Sequence, residues 1–221
     1  MLPNPIKNFV DAFARLPSIG PRQATRLAFY ISNLGKAKIR ELAEAIADLA
    51  NLVTCSRCFR AYTPASGQDP SAGSGQAHSA GSGQVGKGGL CSICSDSTRD
   101  KSLIAVIEKE TDLLSLEKTR KFNGWYLVLG ELSKLGELGP EQKLRLSSLK
   151  DFIKKELSGS AEEIIIATNP TAYGDLSAVT LKKELEGNAG KITRLGRGIP
   201  TGGEIEFADE DTLGSALDRR L

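Results

Sequence analysis

Histidine is nearly missing from this chain: its 221 residues contain one, His78. That leaves little room for chemistry that relies on an imidazole as general base or metal ligand. His78 also lies in a stretch rich in Gly, Ser and Gln, a composition that predicts a flexible loop and a poor platform for a catalytic base. Long apolar runs are missing too. Nothing approaches the roughly 18 consecutive apolar residues that a membrane-spanning helix needs. The opening segment MLPNPIKNFVDAF is patterned as a helix and lacks the charged-then-apolar plan of a secretory signal, so the expected location is the cytoplasm. Cysteine is scarce, with four in all. In a reducing compartment, paired cysteines favour metal over disulfide.

What is present is ordinary in bulk and uneven in distribution. Hydrophobic residues make up 40% and charged residues 25%, values of a globular protein long enough for one large domain or two to three small ones. The formal net charge is only +2, yet residues 1–60 carry nine Lys/Arg against four Asp/Glu, and the remainder is net negative. A basic N-terminal module beside a mildly acidic body points to a polyanion on one side, although a solvated face can carry the same charges.

Apolar periodicity organises the chain. Ile6, Phe9, Val10, Phe13 and Leu16 recur at helical spacing over residues 5–16, and Pro17-Ser18-Ile19-Gly20-Pro21 breaks that helix. A second stripe follows at Ala24, Leu27, Ala28, Ile31 and Leu34, with Pro21 suited to its first turn. A third helix near 37–52 is expected to turn Ile39, Leu42, Ala43, Ile46, Leu49 and Ala50 inward. The hexapeptide SAGSGQ occurs at 71–76 and again at 79–84, inside an expected flexible insert. Beyond it the period changes. Short apolar runs at 103–107, 125–129, 164–167 and 191–195 alternate with helical segments at 110–120, 141–157 and 175–186, which predicts βαβ units and a mainly parallel sheet. A final helix near 209–218 closes the chain.

Cys55-Ser56-Arg57-Cys58 and Cys91-Ser92-Ile93-Cys94 are two C-x-x-C knuckles. Each brings two thiolates to one metal, and two knuckles complete the tetrahedron that zinc prefers. The 32 residues between them exceed the usual spacing, but loop closure costs little extra with length, so the insert leaves the knuckles free to meet. One structural zinc is therefore expected, with a redox dithiol or buried free thiols as alternatives. Four protein ligands would leave no open position for catalysis.

Three further patterns bear on chemistry. Gly81 to Lys87 fits G-x-x-x-x-G-K, but Gly88 stands where a phosphate-binding loop needs Ser or Thr, and neither the strand before nor the helix after is expected there. The turn around Gly20 opens a helix whose first N–H groups can cradle a phosphate, and Arg22 and Arg26, four apart, share a helix face beside it. Such a hairpin grips backbone rather than base edges, unless it is simply a packing corner between two helices. Glu108 directly follows the run 103–107, and Asp175 follows 164–167. Acids at the carboxyl ends of strands can hold magnesium, or can merely cap the next helix.

Taken in order, the segments LPSIGPRQATRLAFYI (16–31), CSICSDSTRD (91–100), IAVIEKETDLLSLE (104–117), IIIATNPTAYGDLSA (164–178) and RGIPTGGEIEFADEDTLGSAL (197–217) resemble the RecR family of bacterial recombination mediators along essentially the whole chain. The resemblance implies an α/β architecture, α+β overall. Its parts would be a helix-hairpin-helix domain (1–54), a C4 zinc finger (55–98) carrying the insert 66–88, a Toprim domain (102–197) and a C-terminal segment with a helical tail (198–221).

It also implies a non-enzymatic role. Members assemble into homo-oligomeric rings, dimer or tetramer, that encircle single- or double-stranded DNA, and they act with RecO and RecF to load RecA at single-stranded gaps. Arg22 and Arg26, with Gly20, match the DNA-contacting hairpin, and Glu108 lies on the face that meets RecO and RecF, with Asp175 the second acid of that face. Three departures stand out: Ser18 replaces the first hairpin glycine, Tyr173 replaces a glutamate two places before Asp175, and the insert is foreign to the compact finger. The competing expectations are a magnesium-dependent Toprim nuclease or primase-like enzyme using Glu108 and Asp175, or a zinc-stabilised interaction module that does not bind DNA.

Overall fold

The computed structural model of the chain describes residues 2–64, 89–133 and 135–218. The insert 66–88, with His78 and the Gly81–Lys87 motif, lies outside the described residues. The described chain divides into two compact units, one ending at Leu52 and one beginning at Val53.

The first unit is helical: α1 (Asn4–Phe13), α2 (Pro21–Ser32) and α3 (Lys36–Asp48), the last followed by a 3₁₀ turn at Leu49–Asn51. α1 and α2 pack as a hairpin that buries Ala24 and Ala28 of α2, with Ile6, Phe9, Val10 and Phe13 of α1 half-buried. Pro21 occupies the first turn of α2, where its missing N–H costs nothing. The break between them is a four-residue turn, Leu16 to Ile19, closed by Ile19 N–H donating to the Leu16 carbonyl at 3.2 Å. Its third residue, Ser18, takes φ +62°, the left-handed region a glycine would enter without strain. The sharp turn is thus retained at a serine, with local strain as the cost.

α3 departs from expectation. It forms where the periodicity places it, but it buries no residue, and Leu42, Ile46 and Leu49 are 41%, 56% and 64% exposed. The apolar faces of α1 and α2 satisfy each other. The third stripe is left facing outward, with no surface of this chain over it among the described residues.

The second unit begins with a short antiparallel ribbon, β1 (Val53–Thr54) and β2 (Ala61–Tyr62), whose tip is the first cysteine knuckle. The second knuckle opens α4 (Ser92–Ser95). Then follow β3 (Asp100–Ile107), α5 (Glu110–Lys118), β4 (Gly124–Val128), α6 (Pro140–Glu156), β5 (Ala161–Ala167), α7 (Ala172–Leu185) and β6 (Ala189–Arg194), and α8 (Glu210–Asp218) ends the described chain. The four long strands form a parallel sheet in the order β4-β3-β5-β6, strands consecutive in sequence being joined through a helix, as alternating strand and helix patterns dictate.

The continuous apolar character of β3 follows from cover on both faces. Ile104 and Val106 point to one side, where Leu146, Leu149 and Ile153 of α6 and Leu181 and Leu185 of α7 form the larger core. Ala105 and Ile107 point to the other, toward Leu113 of α5 and all four cysteines. Fully buried side chains such as Ile164 and Ile166 each contribute about 1.5–3 kcal/mol of apolar transfer. The cysteine module is therefore half of one wall of the sheet rather than an appendage to it.

Candidate functional site

The two knuckles converge. The Sγ atoms of Cys55, Cys58, Cys91 and Cys94 all lie within 4.8 Å of one another, and all four residues are buried. Cys58 and Cys91 Sγ are 3.6 Å apart. A tetrahedron with metal–sulfur bonds of about 2.3 Å has edges near 3.8 Å, so the thiols stand almost at ligand spacing. Local backbone supports the arrangement: Phe59 N–H donates to the Cys55 carbonyl at 3.1 Å, Cys55 N–H to the Arg60 carbonyl at 2.9 Å, and Cys91 N–H to Cys55 Sγ at 3.4 Å. Phe59 takes φ +62° to close that first knuckle. Hydrogen bonds from Cys58, Cys91 and Cys94 hold the Cys55 thiol far below its ordinary range, and the same bond to Cys55 pushes Cys58 up. One thiolate thus gathers donors that a cation would displace. Among the described residues this is the single group of three or more Cys, His, Asp or Glu side chains able to share a metal ion.

The module is tied into the sheet at three places. Val128 N–H, on the outer edge of β4, donates to the Cys58 carbonyl at 2.9 Å. Arg99, just after the second knuckle, makes a two-pronged ion pair with Glu117 of α5 and donates to the Gly124 carbonyl at 3.0 Å. Tyr126 OH donates to the same Glu117 carboxylate at 2.7 Å, and burial together with that carboxylate pushes the Tyr126 phenol up.

The acids at the carboxyl ends of the strands are each occupied, in different ways. Ile107 and Ala167 are register partners, so Glu108 and the loop after β5 emerge side by side. There Asn169 Nδ2 donates to Glu108 Oε2 at 2.8 Å, and Lys109 Nζ lies 4.0 Å from the other oxygen. Asp175 faces Arg194, at 2.9 Å, and Arg197, and the Arg197 hydrogen bond holds its carboxyl below the usual range. Neither acid caps a helix. Thr171 Oγ1 caps α7 by accepting from Gly174 N–H at 3.1 Å, and Asp112 accepts from Lys109 N–H at the start of α5. A Cβ on Gly174 would sit 1.9 Å from the Asn169 carbonyl oxygen, so only glycine permits this tight entry into α7. The Asn169 and Arg197 partners were not singled out from the sequence. Their signal was position, Asn169 two residues past the end of an apolar run and Arg197 three residues past the last strand.

In the first unit, Arg22 and Arg26 are both exposed and lie one turn apart on α2. No side chain caps this helix, and Gly20, its N-cap, has nothing within 4 Å of where a Cβ would be. Glycine at position 20 is thus not demanded by the chain itself.

Three family profiles match the chain in order. The RecR helix-hairpin-helix matches residues 6–50, the Toprim domain residues 102–196 and the RecR C-terminal segment residues 198–220. The four cysteines lie in the interval between the first two matches. With the hairpin, the parallel sheet and the C-terminal segment each matched in sequence, the chain belongs to the RecR family.

Proposed function

We propose that this protein is a sequence-independent DNA-binding mediator of recombinational repair, with no catalytic chemistry of its own. The observation that carries the reading is the pair Arg22 and Arg26, exposed beside the uncapped N-terminus of α2. Like charges at i,i+4 repel, at a cost of about 0.2–0.5 kcal/mol, and neither arginine has an ion pair among the described residues. A phosphate supplied from outside answers both the repulsion and the orphan N–H groups of the first turn. The bare surface at Gly20 lets a backbone phosphate approach.

Around that contact the remaining roles follow the family. Cys55, Cys58, Cys91 and Cys94 hold one structural zinc, whose part is to fix the fold of the module against β4. Assembly into a homo-oligomer, dimer or tetrameric ring, is supported by the outward apolar face of α3, which a second copy would cover. Glu108, its side chain 13% exposed and oriented by Asn169, serves contact with RecO and RecF in loading RecA. Asp175 pairs with two arginines, and that pairing favours a structural or partner-facing role over magnesium binding. The domain limits proposed from the sequence, 1–54, 55–98, 102–197 and 198–221, are retained, with the cytoplasm as location. Among the described residues no helix is long and apolar enough to cross a membrane.

The test is DNA binding by the full chain over a salt series. Arg22→Ala with Arg26→Ala is expected to weaken binding equally for unrelated sequences, and to lower the slope of log affinity against log salt by about one to two units. An unchanged slope with unchanged affinity refutes the hairpin contact.

A further inference from the structure

Arg57, inside the first cysteine knuckle, lays its guanidinium 4.4 Å from the Trp125 ring centre and 5.0 Å from that of Phe152. Lys101 Nζ stands 5.5 Å from the same indole. Trp125 and Phe152 are themselves stacked, with ring centres 5.0 Å apart and planes 30° from parallel. Beside them is a cavity of about 230 Å³, walled in part by Ser56, Arg57, Trp125, Ser148, Leu149 and Phe152. It lies between the cysteine module and the α6 side of the sheet.

Three features of this crevice lack a counterpart. Trp125 is 3% exposed, and its Nε1–H is buried without an acceptor among the described residues. Buried donors are nearly always paired, because an unpaired one forfeits its hydration for nothing. Arg57 and Lys101 bring two positive charges to one indole, and neither has an ion pair or hydrogen bond among the described residues. No acid lines the cavity. The remaining wall, with Ile104, Leu149 and Phe152, is apolar.

We propose that this crevice binds a small organic anion: a carboxylate or phosphate carried on one compact apolar body of about the size of a single ring. The oxyanion would accept from the Arg57 guanidinium, which lines the cavity, with Lys101 adding positive charge beside the same indole. Charge-assisted bonds of this kind are the stronger class, and they repay burial only where donors are already in place. The apolar body would lie against Leu149 and Phe152. The volume is below the roughly 300 Å³ at which pockets for larger ligands begin, which limits the body to a single ring.

Trp125 is the chain's one tryptophan, so its fluorescence reports on this crevice alone. The experiment titrates the full-length, metal-loaded protein with N-acetyl-phenylalanine, as a ring-bearing carboxylate, and with phenyl phosphate, as a ring-bearing phosphate. Inorganic phosphate is the control. A saturable change is expected with at least one of the two organic anions, and which one responds assigns the anion. Arg57→Gln should weaken it about ten- to a hundredfold, as loss of a charge-assisted bond does. Lys101→Gln, at an exposed position where misfolding is not expected, should weaken it severalfold. The proposal is overturned if neither organic anion gives a saturable response up to about ten millimolar. It is also overturned if inorganic phosphate matches them, or if both variants bind as the parent does.

Discussion

The carbonyl oxygen of Cys58 accepts a hydrogen bond from Val128 N–H at 2.9 Å. Cys58 belongs to the four-cysteine cluster and Val128 to the edge strand of the sheet, so the knuckle supplies the partner that an open sheet edge lacks. Phe59, the next residue, enters the core on the α6 side, while the four cysteines pack on the α5 side. The cysteine module therefore wraps the edge of β4 and touches both faces. Its integrity and that of the sheet are one property.

Loss of the metal should be felt in the sheet. With metal at a thousandfold its dissociation constant, binding stabilises the folded state by about 4 kcal/mol, and Cys58→Ser or Cys91→Ser forfeits that. We expect about one zinc per chain in protein purified without chelator, and almost none in either variant. Hydrogen exchange at the Val128 amide should accelerate together with exchange in β3. A variant that loses its metal while Val128 stays as protected as in the parent would show that module and sheet are independent.

Ser18 is a site of removable strain. A non-glycine residue at φ +62° costs about 1 kcal/mol or somewhat more, and glycine relieves this while giving back part of it through greater freedom in the unfolded chain. Ser18→Gly should raise the unfolding free energy by about 0.5 kcal/mol, measured by urea denaturation, without changing DNA affinity. A loss of stability would mean that the serine side chain makes an offsetting contact.

Asp175 should make its contribution visible through pH. Its carboxyl is held below the ordinary value of 3.8 by Arg197 first and Arg194 second. A depressed carboxylate stabilises the fold above its unfolded value, and that stabilisation is lost as pH falls through the folded one. Because the side chain is 41% exposed, the pair is worth less than about 1 kcal/mol. Asp175→Asn should thus be slightly less stable than the parent at neutral pH, and the difference should shrink below pH 3.8. A gap that persists undiminished in acid would assign the effect to packing rather than charge.

Glu108 separates a mediator from a nuclease. Glu108→Ala should leave zinc content and DNA affinity unchanged and weaken binding to RecO by about tenfold or more, as loss of a contact worth about 1.4 kcal/mol does. No magnesium-dependent strand cleavage is expected from either protein. Reproducible cleavage that vanishes in the variant would overturn the mediator reading.

Much of this was legible in the residues. Period-3.6 stripes located the helices to within a few positions and short apolar runs located the strands, because those signals are local and strong in a chain with both sheet faces covered. The four-cysteine cluster was legible because only four cysteines exist and C-x-x-C spacing allows little else. Other features belonged to the tertiary structure alone. The stripe on α3 promised burial, yet pattern says which side is apolar and not whether a partner surface lies within the same chain. For Asp175 the residues left magnesium binding and helix capping both open; its pairing with Arg194 and Arg197 comes from β6 and the segment after it, across a separation of about twenty residues that sequence spacing does not encode. The unpaired Trp125 N–H between Arg57 and Phe152 depends on three distant segments meeting at one edge of the sheet, and only packing puts them there.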